Sequence, residues 1–322
     1  MKQHYLRCVL VSSVGFLFAC LVSLTHAGQA LNISPSQWLQ QISQASAQQS
    51  FHGTFIYRCD AQLVAMKIIH ATDEGKGHEK LISLNGPAHE VIQDGQSVTS
   101  SLFRGKRAMG WGAKEAVESF EQALDAHYKI VEIGEDRIAG RHTKVVEIRP
   151  SDQYRYGFLI WLDSETGLVL RSDMADEAGQ VIEQIMFIDV EMITQREADT
   201  MIGIVDVEQS EESPAPELTK LTDSNWRVVN IPSGFKFSER YLRQAASGSE
   251  QLQEQLVFTD GLASVSVFIE PRKASEQPLL GQTRIGAVNV FGKVVREHQI
   301  TVVGDVPKAT VESIASSVSY QQ

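Results

Sequence analysis

The chain has 322 residues, 43% hydrophobic and 21% charged, with 29 Lys and Arg against 40 Asp and Glu for a net charge of −11 at pH 7. That length suffices for two domains with cores of their own. An acidic balance of this size excludes nucleic acid as the ordinary partner.

The chain starts basic at Lys2 and Arg7, runs apolar from Cys8 to Leu24, and reaches a small-x-small end at Thr25-His26-Ala27. Those three features make residues 1–27 a secretory signal peptide, cleaved after Ala27. An uncleaved membrane anchor is the alternative, weakened by Ser12, Ser13 and Ser23. Cleavage removes two of the 29 basic residues and leaves 27 against 40, a net charge of −13. It also removes Cys8 and Cys20, so Cys59 has no internal partner for a disulfide. Its ordinary role is a small side chain at a strand end.

Ser34-Pro35-Ser36-Gln37 is a helix start, with Ser34 as cap, Pro35 in the first turn and Gln37 closing the box. Trp38, Ile42 and Ala45 follow at helical spacing, and the helix is expected to end near Gln49. Strands are expected over Thr54 to Arg58, Leu63 to His70, Lys80 to Leu84, His89 to Gln93 and Gln96 to Phe103, with turns at Asn85-Gly86-Pro87 and Asp94-Gly95. Lys114 to Leu124 reads as a helix, and Tyr128 to Ile133 and Thr143 to Ile148 return to strand.

Three strand-like runs then lie back to back between Tyr156 and Val190, separated by polar turns ending at Gly167 and Gly179. They predict an antiparallel meander. The first, Gly157 to Leu162, is apolar on both faces, so both faces should be covered. In the third, alternation places Ile182, Met186, Ile188 and Val190 on one face and Glu183 and Asp189 on the other.

Residues 28–207 form the expected large β domain, with 16 basic and 26 acidic side chains. Residues 208–220, with four glutamates, Pro214 and Pro216, have the composition of a semi-extended linker. Residues 221–322, with ten charges of each sign, form a smaller α+β domain. Its expected strands are Trp226 to Ile231, Gln255 to Thr259, Leu262 to Glu270, Gly286 to Phe291 and His298 to Val303, with a tight turn at Asp260-Gly261. Pro307 opens a last helix with Val311, Ile314, Ala315 and Val318 on one face.

The motifs of catalysis are missing. No serine sits in Gly-x-Ser-x-Gly, and Trp111 stands where a phosphate loop needs lysine. His78-Glu79 and His89-Glu90 lack the second histidine of a zinc protease. The chain reads as a non-enzyme without cofactor or metal. Two binding features remain. Phe55, Tyr57, Met66, Ile68, Leu102, Trp111, Leu159 and Trp161 are candidates to line an apolar cavity in a curved sheet, the alternative being a filled core. Arg104, Lys106 and Arg107 form a basic cluster able to meet an anionic ligand, the alternative being a solvated loop.

Several blocks carry a family resemblance. Ser50-Phe51-His52-Gly53-Thr54-Phe55-Ile56-Tyr57, Tyr154-Arg155-Tyr156-Gly157 and Leu170-Arg171-Ser172-Asp173 resemble the RseB/MucB family. So do Phe258-Thr259-Asp260-Gly261-Leu262-Ala263-Ser264 and Thr301-Val302-Val303-Gly304-Asp305-Val306-Pro307, so the resemblance spans the mature chain in order. It implies a mainly β, α+β architecture: a large unclosed antiparallel β-barrel domain like the lipoprotein carriers LolA and LolB, with helices, and a small C-terminal domain.

It further implies a periplasmic negative regulator of a sigma-E-type (AlgU-type) factor. Such a protein binds the periplasmic domain of a membrane anti-sigma factor of RseA/MucA type and protects it from regulated proteolysis. Lipid, lipopolysaccharide or lipoprotein acyl chains would trigger release. Phe258, Asp260, Phe268 and Val290 in the small domain are the partner-contact candidates, and a homo-oligomer is a further possibility. The competing reading is a lipid or lipoprotein carrier.

Overall fold

The computed structural model describes residues 34–73, 76–86, 90–94, 121–203, 219–244, 252–272 and 277–321. The signal segment, Leu102, Trp111, the cluster of Arg104, Lys106 and Arg107, the strand expected over Gln96 to Phe103 and most of the linker lie outside the described residues.

Helix α1 (Pro35–Ala47) has the expected capping box, in which Ser34 accepts from the Gln37 amide while the Gln37 side chain accepts from the Ser34 amide. It leads into an antiparallel sheet of nine strands among the described residues. The strands are β1 (Phe51–Cys59), β2 (Gln62–Asp73), β3 (Lys76–Ser83), β4 (Glu90–Asp94), β5 (Tyr128–Ile138), β6 (Arg141–Pro150), β7 (Gly157–Asp163), β8 (Val169–Ala175) and β9 (Val181–Met192). Among the described residues their order is β4-β3-β2-β1-β9-β8-β7-β6-β5, with β4 and β5 at the two edges and not paired with each other, so the sheet is unclosed. It is strongly curled. β5 and β9 stand four places apart, about 19 Å in a flat sheet, yet their Cα atoms approach within 8 Å.

Helices cover the sheet. α1 and α2 (Glu121–His127) bring Leu39, Ile42 and Leu124 against Val146, Ile148, Ile160 and Leu162. α3 (Gln195–Ile202), capped by Thr194 and closed by Gly203, lays Ala198 and Ile202 on Ile69 and Ala71. Strand β7 is buried on both sides as expected: Ile160 and Leu162 meet the helices, while Trp161 and Leu159 join the cluster around Phe55 and Phe187.

The meander forms as expected, but the facing of β9 is corrected. Thr54 pairs with Asp189 and Phe55 with Phe187, so Ile188 is the extra residue of a β-bulge. The bulge breaks simple alternation. Phe187 is buried and Ile188 is 51% exposed, while Glu183, expected on the polar face, is buried. Gly53 on β1 is part of the cause, since a Cβ there would lie 2.4 Å from the Asp189 carbonyl oxygen.

A seven-stranded antiparallel sheet builds the small lobe, in the order β10-β12-β13-β14-β17-β16-β15. Its strands are β10 (Thr219–Lys220), β12 (Lys236–Gln244), β13 (Leu252–Thr259), β14 (Ser264–Pro271), β15 (Gly281–Ile285), β16 (Val288–Val295) and β17 (His298–Gly304). The short β11 (Trp226–Val228) and β18 (Val318–Tyr320) pair separately. Helix α4 (Lys308–Ser317) packs Val311, Ile314 and Ala315 against Leu256, Val265, Val267, Ile300 and Val302. Val318, expected on the helix face, instead begins β18 and reaches the same core. Strand β12 has no sequence forecast because its inward position is Arg240, buried against Glu254 at 3.1 Å, which interrupts the apolar alternation.

The turn from β7 to β8 is fixed by Asp163, whose carboxylate accepts from Arg141 at 2.8 Å and from the Thr166 hydroxyl at 2.6 Å. Burial pushes this carboxyl up, but the bonds from Arg141 and Thr166 outweigh it and leave the pKa below the ordinary value. The stabilisation is therefore complete above about pH 4, the unfolded value, and is lost as the pH falls through the folded one. Asp163→Asn should flatten the acid limb of a stability–pH curve, measured by urea unfolding. In the same assay Phe187→Ala should cost about 3–5 kcal/mol, and Ile188→Ala less than about 0.5 kcal/mol. Equal costs would contradict the bulge.

Candidate functional site

Two features stand out, an apolar body on the large sheet and the seam between the lobes. In the first, Phe55, Met66, Ile68 and Trp161 are buried and Tyr57 and Leu159 half-buried, all in one cluster with Phe51, Leu168, Leu170 and Phe187. The structure thus brings together every expected cavity residue that it describes. Trp161 is held on two sides: its indole N–H donates to Asp136 at 2.9 Å, and the Arg171 guanidinium lies 4.1 Å from its ring. Part of the cluster stays accessible through Tyr57, Val64, Ile185 and Met186. Burial, and then the Glu183 carboxylate, push the Tyr57 phenol well above the ordinary tyrosine value, so it remains neutral.

The seam centres on Arg155, 1% exposed, in the segment between β6 and β7. Its Nε donates to Asp260 Oδ2 at 2.6 Å, Nη1 to Asp152 at 2.5 Å, and Nη2 to the Ser233 carbonyl at 2.6 Å. Asp152 belongs to the large lobe and the other two acceptors to the small one. Phe235 covers the guanidinium, 4.7 Å from its ring.

Asp260 performs two tasks. Its Oδ1 accepts from the amides of Leu262 and Ala263 and so closes the expected turn after β13, while Oδ2 receives Arg155 and the Tyr128 hydroxyl at 2.9 Å. Burial, and next the Asp260 charge, push the Tyr128 phenol up, which keeps it a neutral donor. Gly234 has φ +88°, and a Cβ there would lie 2.4 Å from His127 and 2.5 Å from Arg155. The close approach therefore requires glycine.

Other bonds flank this node. Thr310 at the start of α4 donates to the Tyr154 carbonyl at 2.7 Å, and Asn289 donates to the Tyr156 hydroxyl at 2.8 Å. Burial, partly offset by Arg284 and Asn289, pushes the Tyr156 phenol up to about 12. At the turn between β1 and β2, Asp60 accepts from the Gly286 amide at 3.0 Å and faces Arg284 at 3.4 Å. A Cβ on Gly286 would meet Cys59 Sγ at 2.1 Å, so Cys59 sits packed at this edge of the seam.

The partner-contact candidates divide. Phe258 lies in the small-lobe core and Asp260 is enclosed in the seam, so neither presents surface here. Phe268 and Val290 are half-buried and keep some surface, Phe268 beneath Arg243 at 5.7 Å. Arg155, Tyr128, Asn289 and Thr310 were missed as site residues. The available signal was Arg155 between two tyrosines, a charge in an aromatic setting.

The architecture is that of a two-lobed β-rich protein in which an unclosed, helix-covered antiparallel sheet is docked by a smaller α+β lobe. The chain belongs to the MucB/RseB family: the MucB/RseB N-terminal domain matches residues 34–211 and the MucB/RseB C-terminal domain residues 220–319. It is 32% identical to the sigma factor AlgU regulatory protein MucB of Pseudomonas aeruginosa, over 88% of this chain and 90% of that protein. It is 26% identical to the sigma-E factor regulatory protein RseB of Escherichia coli, over 99% of each. Among solved structures, MucB in complex with MucA(peri) is similar with a TM-score of 0.68 and 27% identity, over 89% of this chain and 99% of that one.

Removing one member of a buried charge pair strands the other, which costs about 3–5 kcal/mol, whereas losing one hydrogen bond to a charged group costs about 1.5–3 kcal/mol. Asp260→Ala is therefore expected to destabilise the chain more than Tyr128→Phe in urea unfolding. Comparable losses would mean that Arg155 is not paired as described.

Proposed function

We propose that this chain is a periplasmic regulator that restrains a sigma-E-type factor. Exported by its signal peptide, it binds the periplasmic segment of a membrane anti-sigma factor of RseA/MucA type and shields that segment from regulated proteolysis. The observation that carries this reading is the correspondence of both lobes, in order, with MucB crystallised with MucA(peri). Protection is occlusion: a segment lying on the protein is withheld from a protease cleft.

Release follows from linkage. A lipid acyl chain or lipopolysaccharide that favours the segment-free state weakens segment binding by the factor it gains itself. A tenfold release requires about 1.4 kcal/mol of differential affinity. The apolar body around Phe55, Tyr57, Leu159 and Trp161 supports an acyl-chain ligand, and Phe268 and Val290 remain partner-contact candidates. Arg104, Lys106 and Arg107 are proposed to meet an anionic headgroup.

The test is a pull-down with the anti-sigma periplasmic segment, followed by cleavage of that segment by the first regulatory protease with and without the chain. Binding and slowed cleavage are expected, both reversed by lipid A. No binding, or binding without protection, would refute the proposal. Lipid transfer between membranes without segment binding would indicate a carrier instead.

A further inference from the structure

We infer that Arg155 is a latch. It positions the two lobes against each other, and the docked arrangement it maintains sets the affinity for the anti-sigma segment, an inference that rests on the partner reading above. Each lobe has its own apolar core. The cluster of Trp226, Phe258, Val302 and Ile314 draws on no residue of the large lobe, and that of Phe55, Phe187 and Trp161 draws on none of the small one. Apolar clusters cross the seam at two described places, where Leu262 packs on the Leu124–Tyr128 cluster and Ala287 on Tyr156 and Ile182.

The described hydrogen bonds across the seam come from Arg155, Tyr128, Asn289, Thr310, the Gly286 amide and Arg284, with Ser233 beside His127 at 3.2 Å. Polar junctions between self-sufficient lobes permit relative motion unless something fixes them. Arg155 is that fixing element, because its nitrogens end on three segments, two of them in the small lobe, and none of its side chain is exposed.

A buried ion pair opposes partial opening. Pulling Asp260 away bares two charges together, which is unfavourable until water fills the gap. The seam thus has two states, closed with the shell intact and open with both ions hydrated. A partner that contacts both lobes binds the closed state, and its apparent dissociation constant rises as the closed fraction falls. Gly234 belongs to the same device, since a methyl there crowds His127 and Arg155 together without altering a charge.

The experiment compares the wild-type chain with Arg155→Met, Gly234→Ala and Arg155→Lys by small-angle scattering, thermal unfolding and titration with the anti-sigma segment. Arg155→Met and Gly234→Ala are expected to enlarge the radius of gyration, to split one unfolding transition into two and to weaken segment binding at least about tenfold. Arg155→Lys, which keeps the charge without the planar fork, should fall between. If Arg155→Met fails to fold, Gly234→Ala carries the same comparison. A wild-type radius with a single transition in both variants would overturn the latch. Opened lobes with undiminished affinity would overturn its coupling to the partner. If the wild-type chain binds no segment, the partner reading fails, while scattering still decides whether Arg155 holds the lobes together.

Discussion

A guanidinium with no exposed surface, held between two lobes, is the constraint on which the rest of this structure depends. Removing an arginine and an aspartate from water costs several kcal/mol per ion, and only a nearly complete shell of partners offsets it. Here the shell consists of Asp260, Asp152 and the Ser233 carbonyl, with Tyr128 as a second donor to Asp260 and Phe235 excluding water. Because the acceptors come from separate segments, satisfying one ion fixes the turn after β13, the loop before β12 and the approach to β7 together. The arrangement gains specificity of orientation more than stability, since a buried pair contributes little beyond what an apolar contact would.

The apolar body on the large sheet follows from a different constraint. A curled sheet with helices on one side must cover two faces, and β7 is the strand where both coverings meet. Ile160 and Leu162 belong to the helix-packed side, and Trp161 and Leu159 to the cluster with Phe55. The bulge at Ile188 and the bare Gly53 let β9 bend around that cluster, which straight alternation would not permit. Half-buried Tyr57 and Leu159 leave the body partly open.

Local physics made much of this legible in the sequence. The Ser34 capping box, the meander, the Asp260-Gly261 turn and the strand that follows it are decided by neighbours within a few residues. Where a distant partner decides, the sequence was silent or misleading. Arg240 hides β12 because its buried charge is paired with Glu254 on another strand. Ile188 turns outward because β1 offers it no partner. Arg155 and Asp260 each fell within blocks that carried the family resemblance, but nothing local tells that residues 105 positions apart share one bond. Asp260 consequently read as a partner contact when its carboxylate is enclosed by the molecule itself.

The most direct measurement is a double-mutant cycle between Arg155 and Asp260, with Arg155→Met, Asp260→Asn and the pair followed by urea unfolding. Asn keeps an oxygen for the Leu262 and Ala263 amides, so the turn after β13 is preserved while the charge on this side of the pair is removed. A coupling energy above about 1 kcal/mol is expected, with the double variant more stable than the sum of single losses implies. Additivity within about 0.5 kcal/mol would contradict the claim that this pair joins the lobes.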